Sequence, residues 1–314
     1  MGRASNAKQD GSRRDKIAAQ RAAARRDERR NRLLIATGGV IVVIAVVAAI
    51  LIVGLGGKGT TASSSSGAPT GSSLTAVTKT LTSVPTSATD SVGSGSGQVT
   101  GKPEPLSGGT LLTANGKPEM LYMGAEYCPY CAAERWSMIV ALSRFGTFSG
   151  LKTMHSAAKD GAGEAEPYPN TPTWTFYGSS YTSNYVTFTP VEVMTNIPDS
   201  STGQYTTLQT PTAAQTALIN KWDAPPYVPS GDNGAFPFID FGNKYVIAGA
   251  SYTPQNLAGL GWAQIADDLS QPSSTVAQGI DGTANYITAA LCKLTNNLPA
   301  TACTSAVQSL QSSL

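Results

Sequence analysis

Cys128-Pro129-Tyr130-Cys131 holds the residues of this chain whose types and spacing can do chemistry. Two thiols three residues apart can close into a disulfide or exchange one with another molecule. If Cys128 sits at the start of a helix, the unpaired N–H groups and the positive end of the helix dipole favour its thiolate. Cys128 is then the expected attacking sulfur. Cys131, one turn on and more buried, is the sulfur that resolves a mixed disulfide. Pro129 suits the first helical turn because it has no N–H to satisfy. A permanently closed bridge and half of a metal site are the other uses of such a pair.

Cys292 and Cys303 enclose ten residues that include Pro299, and they are expected to form a structural disulfide. A second redox pair relaying electrons to Cys131 is the alternative. His155 is the single histidine of the chain. Common zinc and copper sites draw on several His and Cys, so no metal is expected, and His155 reads as a strand residue. The sequence contains no Gly-rich phosphate cradle, GxSxG or HExxH, and no cofactor is expected.

The elements around the pair have the right order to position it. Residues 119–125 (EMLYMGA) are a short apolar run behind Asn115-Gly116, the pattern of a buried strand. The following segment puts Trp136, Ile139, Val140 and residues 142–145 at helical spacing, with Gly146 as the expected C-cap. Further along, 151–157 reads as a strand and 173–188, rich in Thr, Tyr and Phe, as paired strands about a turn-like centre. Within the latter, Trp174, Phe176, Tyr177, Tyr181, Tyr185 and Phe188 read as core packing or as the lining of a peptide groove. Residues 212–223 read as a helix, and 235–249 as a hairpin about Gly242-Asn243. Thr253-Pro254 should open a helix running to Leu269. Ile287, Leu291, Leu294 and Leu298 form one apolar stripe of a last helix. Alternating strands and helices favour an α/β domain.

Of 314 residues, 22 are Lys or Arg and 20 Asp or Glu, but the balance is uneven. Residues 1–32 hold 11 basic and 4 acidic side chains, leaving a net −5 on the remainder. Residues 33–55 are 23 uncharged positions, roughly 34 Å as a helix, enough to span a bilayer. The expectation is a basic cytoplasmic arm over 1–32 and a transmembrane helix over 33–55. A flexible Gly/Ser/Thr linker over 56–73 and an extracytoplasmic domain over 74–314 follow. The localisation implied is a single-pass protein of the cell membrane with its N-terminus cytoplasmic and the lipid bilayer gripped by the anchor. All four cysteines then lie where disulfides persist. Nucleic-acid binding by the arm is not expected, since a topology signal already accounts for its charge.

The strand, CPYC and helix resemble the thioredoxin superfamily, and Cys-Pro-Tyr-Cys is similar to the choice in glutaredoxins and near that of periplasmic disulfide oxidases. The resemblance implies a cis-proline beginning a later strand and facing the thiols. Pro237, in Phe236-Pro237-Phe238-Ile239-Asp240-Phe241, fits that position, with Phe236 offering backbone hydrogen bonds to an extended substrate. An ordinary trans proline at a strand start is the other reading. Tyr130 and Glu126 complete the supporting set. Glu126 lies where thioredoxins carry apolar residues, and its carboxylate either raises the nearby thiol or pairs toward Arg135.

The 106 positions between Cys131 and Pro237 require a large insertion between the CxxC helix and the cis-Pro strand. The chain is also similar to membrane-anchored thioredoxin-like proteins classed as a domain of unknown function, family 929. That likeness rests on Gly124 to Tyr127, Ala133 to Trp136, Leu142 to Gly146 and Tyr168 to Thr173, and covers about residues 74–314. The function expected is a membrane-tethered extracytoplasmic thiol-disulfide oxidoreductase. Its partners would be cysteine-containing extracytoplasmic proteins, with a membrane quinone-linked oxidoreductase as electron partner. The alternative is a non-enzymatic binding module at the cell surface whose CPYC disulfide is structural.

Overall fold

A computed structural model describes residues 67–314 except 161–162 and 229–232. Residues 67–314 are one compact unit. In chain order, helices α1 (Gly71–Thr82) and α2 (Thr86–Val92) lead into strands β1 (Glu104–Pro105), β2 (Thr113–Ala114) and β3 (Lys117–Gly124). Helix α3 (Pro129–Ser143) follows, then β4 (Gly146–Ser149), β5 (Lys152–His155), β6 (Pro172–Thr175), β7 (Ser180–Ser183) and β8 (Thr187–Glu192). Next come β9 (Met194–Pro198), β10 (Tyr205–Thr207), α4 (Ala213–Trp222), β11 (Phe238–Phe241) and β12 (Tyr245–Ala248). A 3-10 turn (Pro254–Leu257) precedes α5 (Trp262–Asp268), α6 (Thr275–Leu294) and α7 (Ser305–Leu310).

The main sheet is built on β3. Its neighbour on one edge is β11, antiparallel, with Phe238 opposite Met123 and Phe241 opposite Met120. On the other edge β8 runs parallel to it, Met120 opposite Phe188 and Gly124 opposite Glu192, while β2 covers its first residues. Beyond β11 lie β12 and β1, both in antiparallel pairs. Because side chains alternate across a strand, β3 serves two cores. Met120 and Tyr122 pack with α3 and α6, through Trp136, Ile139, Ile280 and Ile287. Leu121 and Met123 face the opposite cluster with Val191, Phe238, Ile219 and Trp222. The β11–β12 hairpin is closed by three residues, Gly242 to Lys244, with Gly242 and Asn243 both at positive φ (64° and 58°) and the Lys244 N–H donated back to the Phe241 carbonyl.

Several expectations need correction. Among the described residues no helix is long and apolar enough to cross a membrane. The longest, the 20-residue α6, carries Gln278, Asp281, Asn285 and Lys293 and is packed inside the domain. The expected span over 33–55, with the arm over 1–32, lies outside the described residues. The fold expected to follow a single transmembrane helix, and the single-pass cell-membrane localisation with it, are therefore not carried by the structure. What it has is a mixed α/β domain on a multi-strand sheet.

The 173–188 segment is not one hairpin either. Its strands pair elsewhere, β6 with β5 and β7 with β4, because each finds an earlier edge strand already beside it. Gly146 does not cap α3 but opens β4, where a Cβ would lie 2.3 Å from the Thr182 carbonyl oxygen. The helix expected from Thr253-Pro254 breaks after one 3-10 turn and restarts at Trp262, behind a Gly261 N-cap. Of the last apolar stripe, Ile287 and Leu291 are buried, whereas Leu298 lies beyond α6 and is exposed.

Candidate functional site

Strand β3 ends at Gly124, and the chain turns through residues 125–127 into α3, which places Cys128 at the helix N-cap. The Cys128 sulfur accepts the Cys131 backbone N–H at 3.3 Å, the bond that an N-cap side chain makes to the first turn. Cys128 and Cys131 are both free thiols and both buried. Burial raises the Cys128 thiol, but the Cys131 thiol and backbone N–H, with Arg135 adding positive charge, outweigh it and leave the thiol below its usual range. Cys131 moves the other way. Burial pushes it well above the ordinary thiol value, and its role as donor to Cys128 adds to that. The two shifts run in opposite directions, making Cys128 the more acidic thiol of the pair and Cys131 the less acidic.

Phe236 and Pro237 reach this point from the neighbouring strand β11, in the same cluster as the thiols. The Phe236–Pro237 peptide is cis, Pro237 directly precedes β11, and the Phe236 carbonyl oxygen lies 3.8 Å from the Cys128 sulfur. Aromatic rings surround the pair. Tyr127 stacks on Tyr205 at 4.2 Å between centroids, and Tyr130 meets Tyr168 edge-on at 5.8 Å. Residues on both sides of 161–162 contribute here, since Ala157 donates its N–H to the Tyr127 carbonyl. The long segment between α3 and β11 thus folds partly over the thiols, and Cys128 keeps 6% of its surface open.

Arg135 lies wholly buried beneath the turn. Its guanidinium binds Glu192 of β8 through Nε at 2.8 Å and Nη2 at 2.7 Å, and Nη2 also donates to the Ala125 carbonyl at 2.9 Å. Both side chains are completely inaccessible. Removing one member of such a pair leaves an uncompensated buried charge, a cost of about 3–5 kcal/mol. The bond to Ala125 pins the backbone that delivers Cys128, so the ion pair fixes the site as well as the core.

Glu126 does not pair with Arg135. Its carboxylate accepts the Thr175 hydroxyl at 2.6 Å, and partial burial raises it above the usual carboxylate range. The next acid, Glu134, is buried on α3 and accepts both the backbone N–H and the hydroxyl of Ser251, with burial raising it to about 7. His155 packs edge-on against Trp262 at 4.6 Å and is half-buried. Among the described residues no group of three or more His, Cys, Asp and Glu is gathered as metal ligands would be. Trp174, Phe176 and Phe188 are core residues rather than a groove lining, while Tyr177 is exposed.

Cys292, near the end of α6, is disulfide-bonded to Cys303 ahead of α7. The bridge lies in the cluster on the far side of the sheet, apart from the one that contains Cys128 and Cys131.

Two residues of the site escape a reading by motif. Tyr122 is the only side chain with a polar head among the buried residues of β3, and Glu192 is a charge closing the β8 strand. Gly124 is their companion. A Cβ there would lie 2.0 Å from the Tyr122 hydroxyl and 3.0 Å from the Cys131 sulfur. A phenol in an apolar strand, two places before a glycine and six before the first cysteine, is the signal each leaves in the sequence.

Fold and site together define a mixed α/β protein with a buried dithiol at a helix N-terminus. The chain belongs to the family described as Domain of unknown function (DUF929), whose model matches residues 108–293. No curated protein and no solved structure matches it.

Proposed function

We propose that this protein is a thiol-disulfide oxidoreductase that works through Cys128 and Cys131 on cysteine-bearing proteins. The observation that carries the reading is the asymmetry of the pair. The N-capping sulfur of Cys128 is held as the better thiolate, and Cys131, one turn below it, keeps the proton. A more acidic attacking thiol with a resolving thiol behind it is what disulfide exchange needs. The thioredoxin superfamily supplies the template. A parallel strand on one edge of β3, an antiparallel one on the other, and Pro237 facing the thiols all support that kinship. Phe236, next to the attacking sulfur, suits backbone contact with an extended substrate segment. Tyr130 and the neighbouring aromatic rings suit its side chains.

The test is the redox equilibrium of the full chain in graded glutathione buffers, with thiol trapping at Cys128 and Cys131 read by mass spectrometry. A reversible two-thiol transition is the expected result. A midpoint near about −120 to −200 mV would mark an oxidase or isomerase, and one near about −270 mV a reductase. A pair that never exchanges under native conditions overturns the reading and leaves a binding module.

A further inference from the structure

The buried polar atoms around Cys131 do not balance. Tyr122 is fully buried, and its hydroxyl has no hydrogen-bond partner. The guanidinium of Arg135, equally buried, uses Nε and Nη2 on Glu192 and Ala125, while Nη1 has no partner. Buried donors without partners are rare and costly, more so when charged, and each of these calls for an acceptor. The nearby carboxylates are committed, Glu192 to Arg135 and Glu126 to Thr175. The group that does lie beside the hydroxyl is the Cys131 sulfur. Both are within 3.0 Å of the point where a Cβ of Gly124 would stand, and only a glycine leaves them that room. The Ala125 backbone N–H works against burial at the same sulfur and favours its thiolate.

We propose that Tyr122, Arg135 and the Ala125 backbone form an anion site for the Cys131 sulfur, occupied when that thiol loses its proton to resolve a mixed disulfide. This rests on the exchange reading above. In the step concerned, the Cys128 thiolate has attacked a substrate disulfide R–S–S–R′, forming the Cys128–S–S–R bond and releasing R′–S⁻. The Cys131 thiol gives its proton to that released thiolate. Its sulfur then attacks the Cys128 sulfur, closing the Cys128–Cys131 bond and expelling R–S⁻. Two electrons pass from the dithiol to the substrate, and one proton ends on R′–SH. Once the Cys131 proton is gone, the Tyr122 hydroxyl donates its free hydrogen bond to the sulfur, and it remains protonated itself because burial holds it far above the ordinary phenol value. Arg135 supplies charge across the short gap, with Glu192 keeping the guanidinium in place. The other ionisable groups acting on the two sulfurs are each other and, at Cys128, Glu166.

A charge-assisted hydrogen bond of about 1.5–3 kcal/mol corresponds to roughly 10- to 100-fold in an equilibrium or a rate. In a full chain carrying Cys128→Ala, the Cys131 thiolate is titrated by its absorbance at 240 nm. Adding Tyr122→Phe should move the half-titration up by about one pH unit or more. In the protein with both cysteines, Tyr122→Phe should slow the release of a trapped mixed disulfide by about tenfold and shift its pH profile upward. Alkylation of Cys128 should keep its rate. A purely structural role for the hydroxyl would alter stability and leave both pH profiles in place, and that result overturns the proposal. Should Tyr122→Phe not fold, the Tyr122 hydroxyl proton in the Cys128→Ala protein still reports. It should move downfield in step with the Cys131 titration, and a resonance indifferent to that titration overturns the proposal. Native protein that fails to exchange with glutathione, while the titration shift is present, overturns the exchange reading and with it the resolving role. Native protein that exchanges, with Tyr122→Phe unchanged, refutes the anion site alone.

Discussion

Gly124→Ala tests how tightly the site is built. A Cβ at this position would stand 2.0 Å from the Tyr122 hydroxyl, 2.5 Å from its Cζ and 3.0 Å from the Cys131 sulfur. Real contacts of a Cβ essentially never fall below 3.0 Å, so the hydroxyl must withdraw by about 1 Å. The ring cannot swing out of the way. Tyr122 is fully buried, edge-on to Phe176 at 5.5 Å and packed among α3 and α6. The backbone of Gly124 lies outside the left-handed region, so an alanine there suffers from the contacts and not from its own φ. Overpacking of this kind costs about 1–3 kcal/mol. With a urea m-value near about 2 kcal/mol/M, the midpoint should fall by roughly 0.5–1.5 M at unchanged m. Equilibrium urea unfolding followed by tryptophan fluorescence measures it. Combining Gly124→Ala with Tyr122→Phe removes the 2.0 Å contact and leaves the 2.5 Å one, so the pair should be less damaging than the sum of the two. A Gly124→Ala protein within about 0.5 kcal/mol of the parent would refute the close packing of hydroxyl, glycine and sulfur.

Two further outcomes follow from buried groups away from the thiols. Asp281, on α6, has neither carboxylate oxygen hydrogen-bonded, and burial raises it to about 8 against the pull of Arg144. Glu134 and Asp240 are raised in the same direction, to about 7. The folded protein therefore keeps protons that the unfolded chain loses near about pH 4. The stability these three groups contribute should be full below that pH and be lost as pH rises through about 7 to 8. Asp281→Asn should flatten the decline by up to about 1.4 kcal/mol per pH unit, read from urea midpoints at pH 5 to 8, and an unchanged slope would discount the buried proton. The Cys292–Cys303 bridge closes a loop across 11 positions, for which the chain-entropy model gives about 3 kcal/mol. The double serine variant should lose about that much in chemical denaturation while the Cys128 and Cys131 exchange equilibrium stays where it was.

The sequence by itself determined what is local. The apolar run before CPYC, the proline after Cys128 and the helical spacing behind Cys131 fix a strand, an N-capping sulfur and a helix, because each is set by neighbours within one or two turns. Gly242-Asn243 announced its hairpin for the same reason, the turn demanding positive φ at both residues. The spacing of Cys292 and Cys303 was enough to pair them.

Tertiary structure decided whatever depends on residues far apart in the chain. The strands of the 173–188 segment look like partners but were claimed by β4 and β5, since pairing follows which edge is free and which face must be buried. Pairing with Glu126, nine positions earlier, is one of the two readings the sequence leaves open for Arg135. In the fold Arg135 binds Glu192, 57 positions away, because β8 lies parallel to β3 and carries that carboxylate under the helix. Tyr122 reads in the sequence as one more apolar strand residue, and only the fold brings its hydroxyl toward Cys131, into the gap left by Gly124. Sequence placed the two sulfurs, and only the fold settled what surrounds them, since burial and charge at a thiol come from side chains gathered across the whole sheet.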